Sequence, residues 1–218
     1  MLTTVGYDEF ILMLSGATRA VRENYERLSA LDTAIGDGDH GVTMRRAVGR
    51  VDDVVAKASG ADLPGLLSDI GWALLGIDGG ATGPLLGSWF MGMSAGTTQP
   101  PLDAAALAAM FEAGLASVQE QTKAKVGDKT MMDALIPATQ ALRAGADRGL
   151  SIDEVLRLAA EAAEQGAAST KDLAARFGRA RNLGERTKGT QDPGATSMSV
   201  MFRGFYVGLT QPVATAAH

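Results

Sequence analysis

Cysteine is absent from this chain, which excludes disulfides, thiol nucleophiles and thiolate metal sites. The absence fits a reducing cytoplasm, and a metal bound here would need oxygen ligands. Histidine is nearly as scarce, with only His40 and the terminal His218, so no Ser-His-Asp triad can be argued. No Gly-x-x-x-x-Gly-Lys-[Ser/Thr] run occurs, which removes the P-loop enzymes. No apolar run approaches ~18 residues, and Met1–Phe10 lacks the basic start and apolar stretch of a signal peptide. Neither a membrane span nor export is therefore expected, and the expected location is the cytoplasm. The net charge is −5 and no Lys/Arg run or basic face rich in aromatics stands out, so nucleic acid is not an expected partner.

Aromatics make up only 5% of residues while 46% are apolar, with much alanine, leucine and methionine. Such a composition suits helices packed closely through small side chains. From Asp8 to Leu31, Phe10, Met13, Leu14, Ala17, Val21, Leu28 and Leu31 recur at three- and four-residue steps with charged residues between them, predicting an amphipathic helix. Comparable spacing predicts helices at about 42–57, 63–76, 84–95, 103–122, 130–145, 151–175 and 195–209, eight in all. Strand signals are almost lacking. The expected fold is all-α, a single domain over residues 1–218 whose loops carry any chemistry.

One loop is acidic. Within Asp32-Thr-Ala-Ile-Gly-Asp-Gly-Asp-His-Gly41, the side chains of Asp32, Asp37 and Asp39 lie in eight residues, and Gly36, Gly38 and Gly41 permit a backbone tight enough to converge them. Clustered carboxylates suit Mg²⁺, which usually keeps waters and substrate phosphate oxygens, so a one-sided cluster implies a phosphate opposite. Gly36-x-Gly38-x-x-Gly41 formally matches a dinucleotide fingerprint, but a helix rather than a strand precedes it. Asp37-x-Asp39 opens like a calcium loop, yet the positions needing glycine and glutamate hold Val42 and Val48. The competing explanation is that these acids cap the next helix. His40 either hydrogen-bonds a phosphate or nucleotide or is a solvated loop histidine.

Gly79-Gly-Ala-Thr-Gly-Pro84 has the layout of a helix start that exposes amides to a phosphate, with Thr82 as a hydroxyl donor and Pro84 at the first helical position. An ordinary turn is the alternative. Gly127-Asp-Lys-Thr130 either presents Lys129 and amides to an anion or caps a helix through Asp128 or Thr130. Asp192-Pro-Gly-Ala195 reads as an N-cap aspartate followed by proline at the first helical position, and Ser151-Ile-Asp-Glu154 as a capping box. What remains is a site for magnesium and phosphate without a protein nucleophile, which phosphoryl transfer tolerates because it relies on positioning and charge neutralisation.

Ile35-Gly-Asp-Gly-Asp-His-Gly41, Gly79-Gly-Ala-Thr-Gly-Pro84, Gly127-Asp-Lys-Thr-Met131, Gly178-Arg-Ala-Arg-Asn-Leu-Gly-Glu-Arg186 and Asp192-Pro-Gly-Ala195 together resemble the L subunit (DhaL) family of dihydroxyacetone kinases, and the matching C-terminal domain of single-chain members. The resemblance spans nearly the whole chain. It implies an antiparallel barrel of eight helices with the nucleotide, ADP or ATP, in the loops at one end. It further implies that Asp32, Asp37 and Asp39 hold two Mg²⁺ ions, and that His40, Gly41, Thr43, Gly80, Ala81 and Thr82 contact phosphate or nucleotide. Around the adenosine it places Gly127, Met132, Arg179, Asp192, Pro193 and Gly194. The implied partner is a K-type subunit carrying the ketose. In some members a phosphohistidine protein of the sugar phosphotransferase system recharges a resident nucleotide, while in others ATP is consumed. Thr43 stands where many relatives carry asparagine, Thr82 where serine is common, and Arg181-Asn182 where Ser-Tyr is frequent. The reading from another class is a nucleotide-sensing module that transfers no phosphate, and the blandest is a helical scaffold whose acids merely cap.

Overall fold

Eight helices joined by short connections pack most simply beside their sequence neighbours. The computed structural model, which describes residues 2–78 and 80–211, shows this arrangement closed on itself. Its helices are α1 (Tyr7–Ile35), α2 (His40–Lys57), α3 (Leu63–Leu75), α4 (Thr82–Gly96), α5 (Ala104–Gln121), α6 (Met132–Asp147), α7 (Ile152–Ser169) and α8 (Pro193–Thr210). Each packs against the helix before and after it, and α8 returns to pack against α1. The fold is the expected all-α antiparallel barrel. Gly79 of the glycine loop and His218 lie outside the described residues.

The alternation of an even number of helices has a geometric consequence. The α1–α2, α3–α4, α5–α6 and α7–α8 connections all emerge at one end, and these four carry the acidic and glycine-rich motifs singled out above. The opposite end is tied by a minimal antiparallel pair, β1 (Thr4–Val5) with β2 (Leu102–Asp103). There the Leu2 amide also donates to Asp153 Oδ1 at 3.1 Å.

Five of the few aromatic residues cluster inside the ring, whereas Trp72 is exposed. Trp89 of α4 meets Phe90 and Phe111 at ring-centroid distances of 5.4 and 5.8 Å, and Phe202 and Phe205 of α8 at 5.9 and 6.2 Å. These tilted and edge-on contacts add to burial of the largest apolar surfaces available to the chain. The seam between α1 and α8 is made of glycine. A Cβ on Gly16 would strike the Gly204 carbonyl and the Gly208 Cα, and one on Gly208 would strike the Leu12 carbonyl. Only bare backbone lets the first and last helices approach closely enough to close the ring.

The helices depart from the predicted spans at their ends. α1 runs on to Ile35, so Asp32 belongs to its last turn rather than to a loop. The apolar period fades after Leu31 because the helix end leaves the core, although Ile35, one turn on, is again buried. α4 starts at Thr82, which puts Pro84 at its third position rather than its first, still within the turn where a helix needs no N–H from its residues. α7 stops at Ser169, short of the predicted 175; a single 3₁₀ turn, Thr170–Asp172, follows. A second 3₁₀ segment, Arg179–Thr187, lies within what reads in sequence as loop.

Candidate functional site

At the loop end, the N-termini of α2, α4, α6 and α8 converge, so the positive ends of four helix dipoles face the same region. Between them lies a cleft of about 390 Å³. Of the residues nominated from sequence, Asp32, Asp37, Asp39, His40, Gly80, Ala81, Thr82, Met132, Arg179, Asp192, Pro193 and Gly194 line it. Gly41, Thr43 and Gly127 are not among its lining residues. Gly41 is pressed onto α1, where a Cβ would meet the Tyr25 carbonyl and Ser29 Oγ, and the Thr43 side chain is buried one turn into α2.

The acidic corner is assembled from two elements. Asp32 projects from the last turn of α1, while Asp37 and Asp39 sit in the reversal that follows, which Gly38 makes possible at φ +79°. One carboxylate oxygen from each lies within 4.8 Å of the other two. Capping explains only one of the three acids. Asp32 Oδ2 accepts from the His40 amide at 3.1 Å, whereas Asp39, at the N-cap position of α2, makes no side-chain cap bond. An all-oxygen, one-sided and half-exposed donor set opening on a cleft fits Mg²⁺, which takes its remaining ligands from water and phosphate. Arg179 supplies counter-charge, pairing with Asp37 and standing 3.6 Å from Asp39.

His40 points inward, its Nε2 3.2 Å from Ser197 Oγ. Burial holds its pKa below the ordinary imidazole value against the opposing charge of Asp32, so at neutral pH it is an uncharged hydrogen-bonding group. Across the ring, Gly80 turns the chain at φ +60° into α4. The N-cap of α4, Ala81, has no side chain with which to cap it, so that among the described residues no side chain caps the first amides of this helix. Gly83 permits the close turn, since a Cβ there would lie 2.8 Å from the Ile77 carbonyl.

The remaining two helix starts are satisfied internally. Asp192 Oδ2 accepts from the Ala195 amide at 2.7 Å, the expected N-cap of α8. Burial pushes its carboxyl up to about 7, with the Ala195 amide and Lys129 acting in the opposite sense. In the first turn of α6, Asp133 accepts from the amides of Gly127 and Thr130 at 2.6 and 2.8 Å. Asp128 serves a different role, accepting from the Lys125 amide and pairing with Arg176 at 3.3 Å. Thr130 Oγ1 accepts from the Met132 amide at 3.2 Å. Lys129 also lines the cleft, but its ammonium is turned to backbone carbonyls. The residue is only 1% exposed, and Nζ donates to the carbonyls of Thr170, at 2.5 Å, and Thr190. It stitches the α5–α6 connection to the α7–α8 connection.

Sequence reasoning missed the apolar floor of the cleft: Ile35, Met44, Leu85, Leu86, Met131, Phe177 and Met198. In the sequence Ile35, Met44, Leu85, Leu86 and Met198 have the same helical spacing as ordinary core residues while Met131 and Phe177 lie outside the α-helices, and only the closed ring brings them together beneath its mouth. The site thus joins an apolar floor to a polar rim of carboxylates and helix amides, a combination suited to an amphiphilic, polyanionic ligand carried with divalent metal.

Comparison with known proteins agrees with this geometry. The DAK2 domain family model matches residues 34–207. The chain is 40% identical over 179 residues to the PEP-dependent dihydroxyacetone kinase, ADP-binding subunit DhaL of Escherichia coli K12, covering 82% of this chain and 85% of that protein. It is also 40% identical to the corresponding ADP-binding subunit of kinase 1 in Listeria innocua, covering 84% and 86%. Among solved structures, the dihydroxyacetone kinase of C. freundii superposes with a TM-score of 0.69 at 26% identity, over 89% of this chain and 33% of that one. Its complex with AMP-PNP and Mg²⁺ gives 0.68 over 89% and 32%.

Proposed function

The chain belongs to the DAK2 domain family, and from that premise we propose that it is the nucleotide-binding phosphotransfer subunit of a dihydroxyacetone kinase. It passes a phosphoryl group from Mg-nucleotide to dihydroxyacetone, or a related small ketose, held on a partner K-type subunit. One observation carries the reading: three convergent carboxylates and a helix N-terminus without a side-chain cap open on the same apolar-floored cleft. The ADP-binding names of the relatives and the AMP-PNP and Mg²⁺ complex of the structural neighbour support it.

In this reading Asp32, Asp37 and Asp39 hold two Mg²⁺ ions, whose charge offsets the carboxylates and neutralises phosphate oxygens as the phosphoryl group moves. The amides after Gly80 and Ala81 and the hydroxyl of Thr82 orient the phosphates, and neutral His40 adds a hydrogen bond without adding charge. Gly41, Thr43 and Gly127 do not line the cleft and bear on the nucleotide only through the lining residues beside them. Met132, Arg179, Asp192, Pro193 and Gly194 enclose the nucleoside. The chain offers no nucleophile, because the attacking oxygen belongs to the ketose on the other subunit. Relatives named for PEP-dependent and PTS-dependent kinases support a resident ADP recharged by a phosphohistidine phosphotransferase-system protein. The working unit is one domain in the cytoplasm; among the described residues no helix is long and apolar enough to cross a membrane.

Titration calorimetry tests the reading directly. ADP binds in Mg²⁺, and Asp37→Asn or EDTA lowers the affinity by at least about tenfold. Wild-type protein that ignores both ADP and ATP in Mg²⁺ would sink the assignment. Mixing with a K-type subunit and dihydroxyacetone then separates a transferring subunit, which yields the phosphorylated ketose, from a sensing one.

A further inference from the structure

Between Gly178 and Arg186 the chain forms an exposed strap that rests against α1. Its two ends are fixed. The buried Thr187 hydroxyl accepts from the Ala175 amide at 2.9 Å and donates to the Gly184 carbonyl at 2.7 Å, and the Arg176 amide donates to the Asp128 carbonyl at 3.1 Å. Gly178 and Gly184, at φ +65° and +52°, bracket the segment between these anchors. Among the described residues, one hydrogen bond leads from residues 178–186 to a distant part of the chain, and it runs from the Arg179 guanidinium to Asp37. The same guanidinium is 3.6 Å from Asp39. Phe177, Gly178, Arg179 and Ala180 all line the cleft, so this ion pair spans from the strap to the acidic corner.

We propose that Arg179 is a latch on the metal site: its guanidinium and a divalent cation compete for Asp37 and Asp39, so that metal binding releases the strap and frees the guanidinium. The inference rests on the metal-binding part of the proposed function, and adds that the strap reports the state of the acidic corner. Three physical points support it. A guanidinium fork is matched to carboxylates and to phosphates alike, so the group that leaves the aspartates has an alternative partner in a bound polyphosphate. The pair is half-exposed, at 60% for Arg179 and 46% for Asp37, and a pair so exposed favours association by a factor of only roughly two to five. A divalent cation held by several carboxylates displaces it without difficulty. Finally, among the described residues the strap has no second long-range hydrogen bond to keep it in place once Arg179 lets go.

Mn²⁺ titration followed by electron paramagnetic resonance, with no nucleotide present, tests the competition. Arg179→Ala binds Mn²⁺ about two- to fivefold more tightly than wild type, while Arg179→Lys, which keeps the cation, stays near wild type. A residue that only contacts nucleotide would leave Mn²⁺ affinity unchanged, and one that only supports the fold would lower it. Limited trypsin digestion supplies the second readout. Mn²⁺ accelerates cleavage after Arg181 and Arg186 in wild type, whereas in Arg179→Ala cleavage is already fast and indifferent to the cation. Equal or weaker Mn²⁺ binding by Arg179→Ala, including no binding by either protein, overturns the latch, as does strap cleavage in wild type that ignores Mn²⁺. Neither measurement contains ADP or a ketose, so failure of the kinase reading would show only in calorimetry with nucleotide.

Discussion

Lys129 occupies a position where a sequence gives little warning of burial, between an aspartate and a threonine in a glycine turn. Its Nζ satisfies two backbone carbonyls from different connections, and desolvation lowers its pKa against the fields of Asp192, Asp133 and Asp172. Lys129→Met keeps most of the volume but strands both carbonyls and removes the nearest cation from Asp192. Urea denaturation should show a loss of about 2–4 kcal/mol. Asp192 makes a separate prediction about pH. Its folded pKa, near 7, lies above the ordinary 3.8, so the folded state holds a proton that the unfolded chain releases. Its contribution to stability is therefore whole below about pH 4 and is lost as pH rises to about 7. Asp192→Asn keeps a capping side chain and removes this slope. Relative to wild type, the melting temperature of the variant should climb by several degrees between pH 4 and pH 7, and a constant difference across that range would count against burial as the cause. The convergence of Asp32, Asp37 and Asp39, by contrast, was legible from sequence because Gly36 and Gly38 let the chain reverse between them; the burial of Lys129 was not, because it depends on where Thr170 and Thr190 come to rest.

Helices were legible wherever one face stays against the core, and their ends were not. α1 keeps its apolar period to Leu31 and then continues for one further turn, which is how Asp32 came to be placed in a loop. α7 was overextended because its alanine-rich run gives no stop signal, while the observed stop involves Thr170, whose hydroxyl turns back to the Ala167 carbonyl and whose own carbonyl accepts from Lys129. Glycine inside a helix ordinarily weakens it, and contact with another backbone explains those of α1 and α8. Two substitutions separate these cases. In Gly204→Ala the new methyl would meet Ala17 and the Gly16 carbonyl, and chemical denaturation should register a loss of about 3 kcal/mol or more as the seam is pushed apart. Gly49→Ala, inside α2 with nothing within 4 Å of the added Cβ, should gain about 0.5–1 kcal/mol from helix propensity alone. Similar losses at both positions would mean that close packing is not what Gly204 provides.

At the scale of the molecule, eight alternating helices bring the four odd-to-even connections to one end, which is why motifs scattered from residue 32 to residue 194 meet at a single cleft. The order of motifs along the chain carried that information; the apolar floor beneath them did not, since it exists only once the ring is shut. Closure of α8 on α1 has one more consequence. The last turn of α8 and the strand before α1 both finish at the far end, opposite the cleft, so a tether attached there would leave the ligand mouth unobstructed. Because α1 and α8 pack directly on one another along their glycine seam, the ring has no open side and no helix is structurally the first. A circularly permuted chain, rejoined across that seam and opened at the α2–α3 or α6–α7 connection, would retain every contact between neighbouring helices.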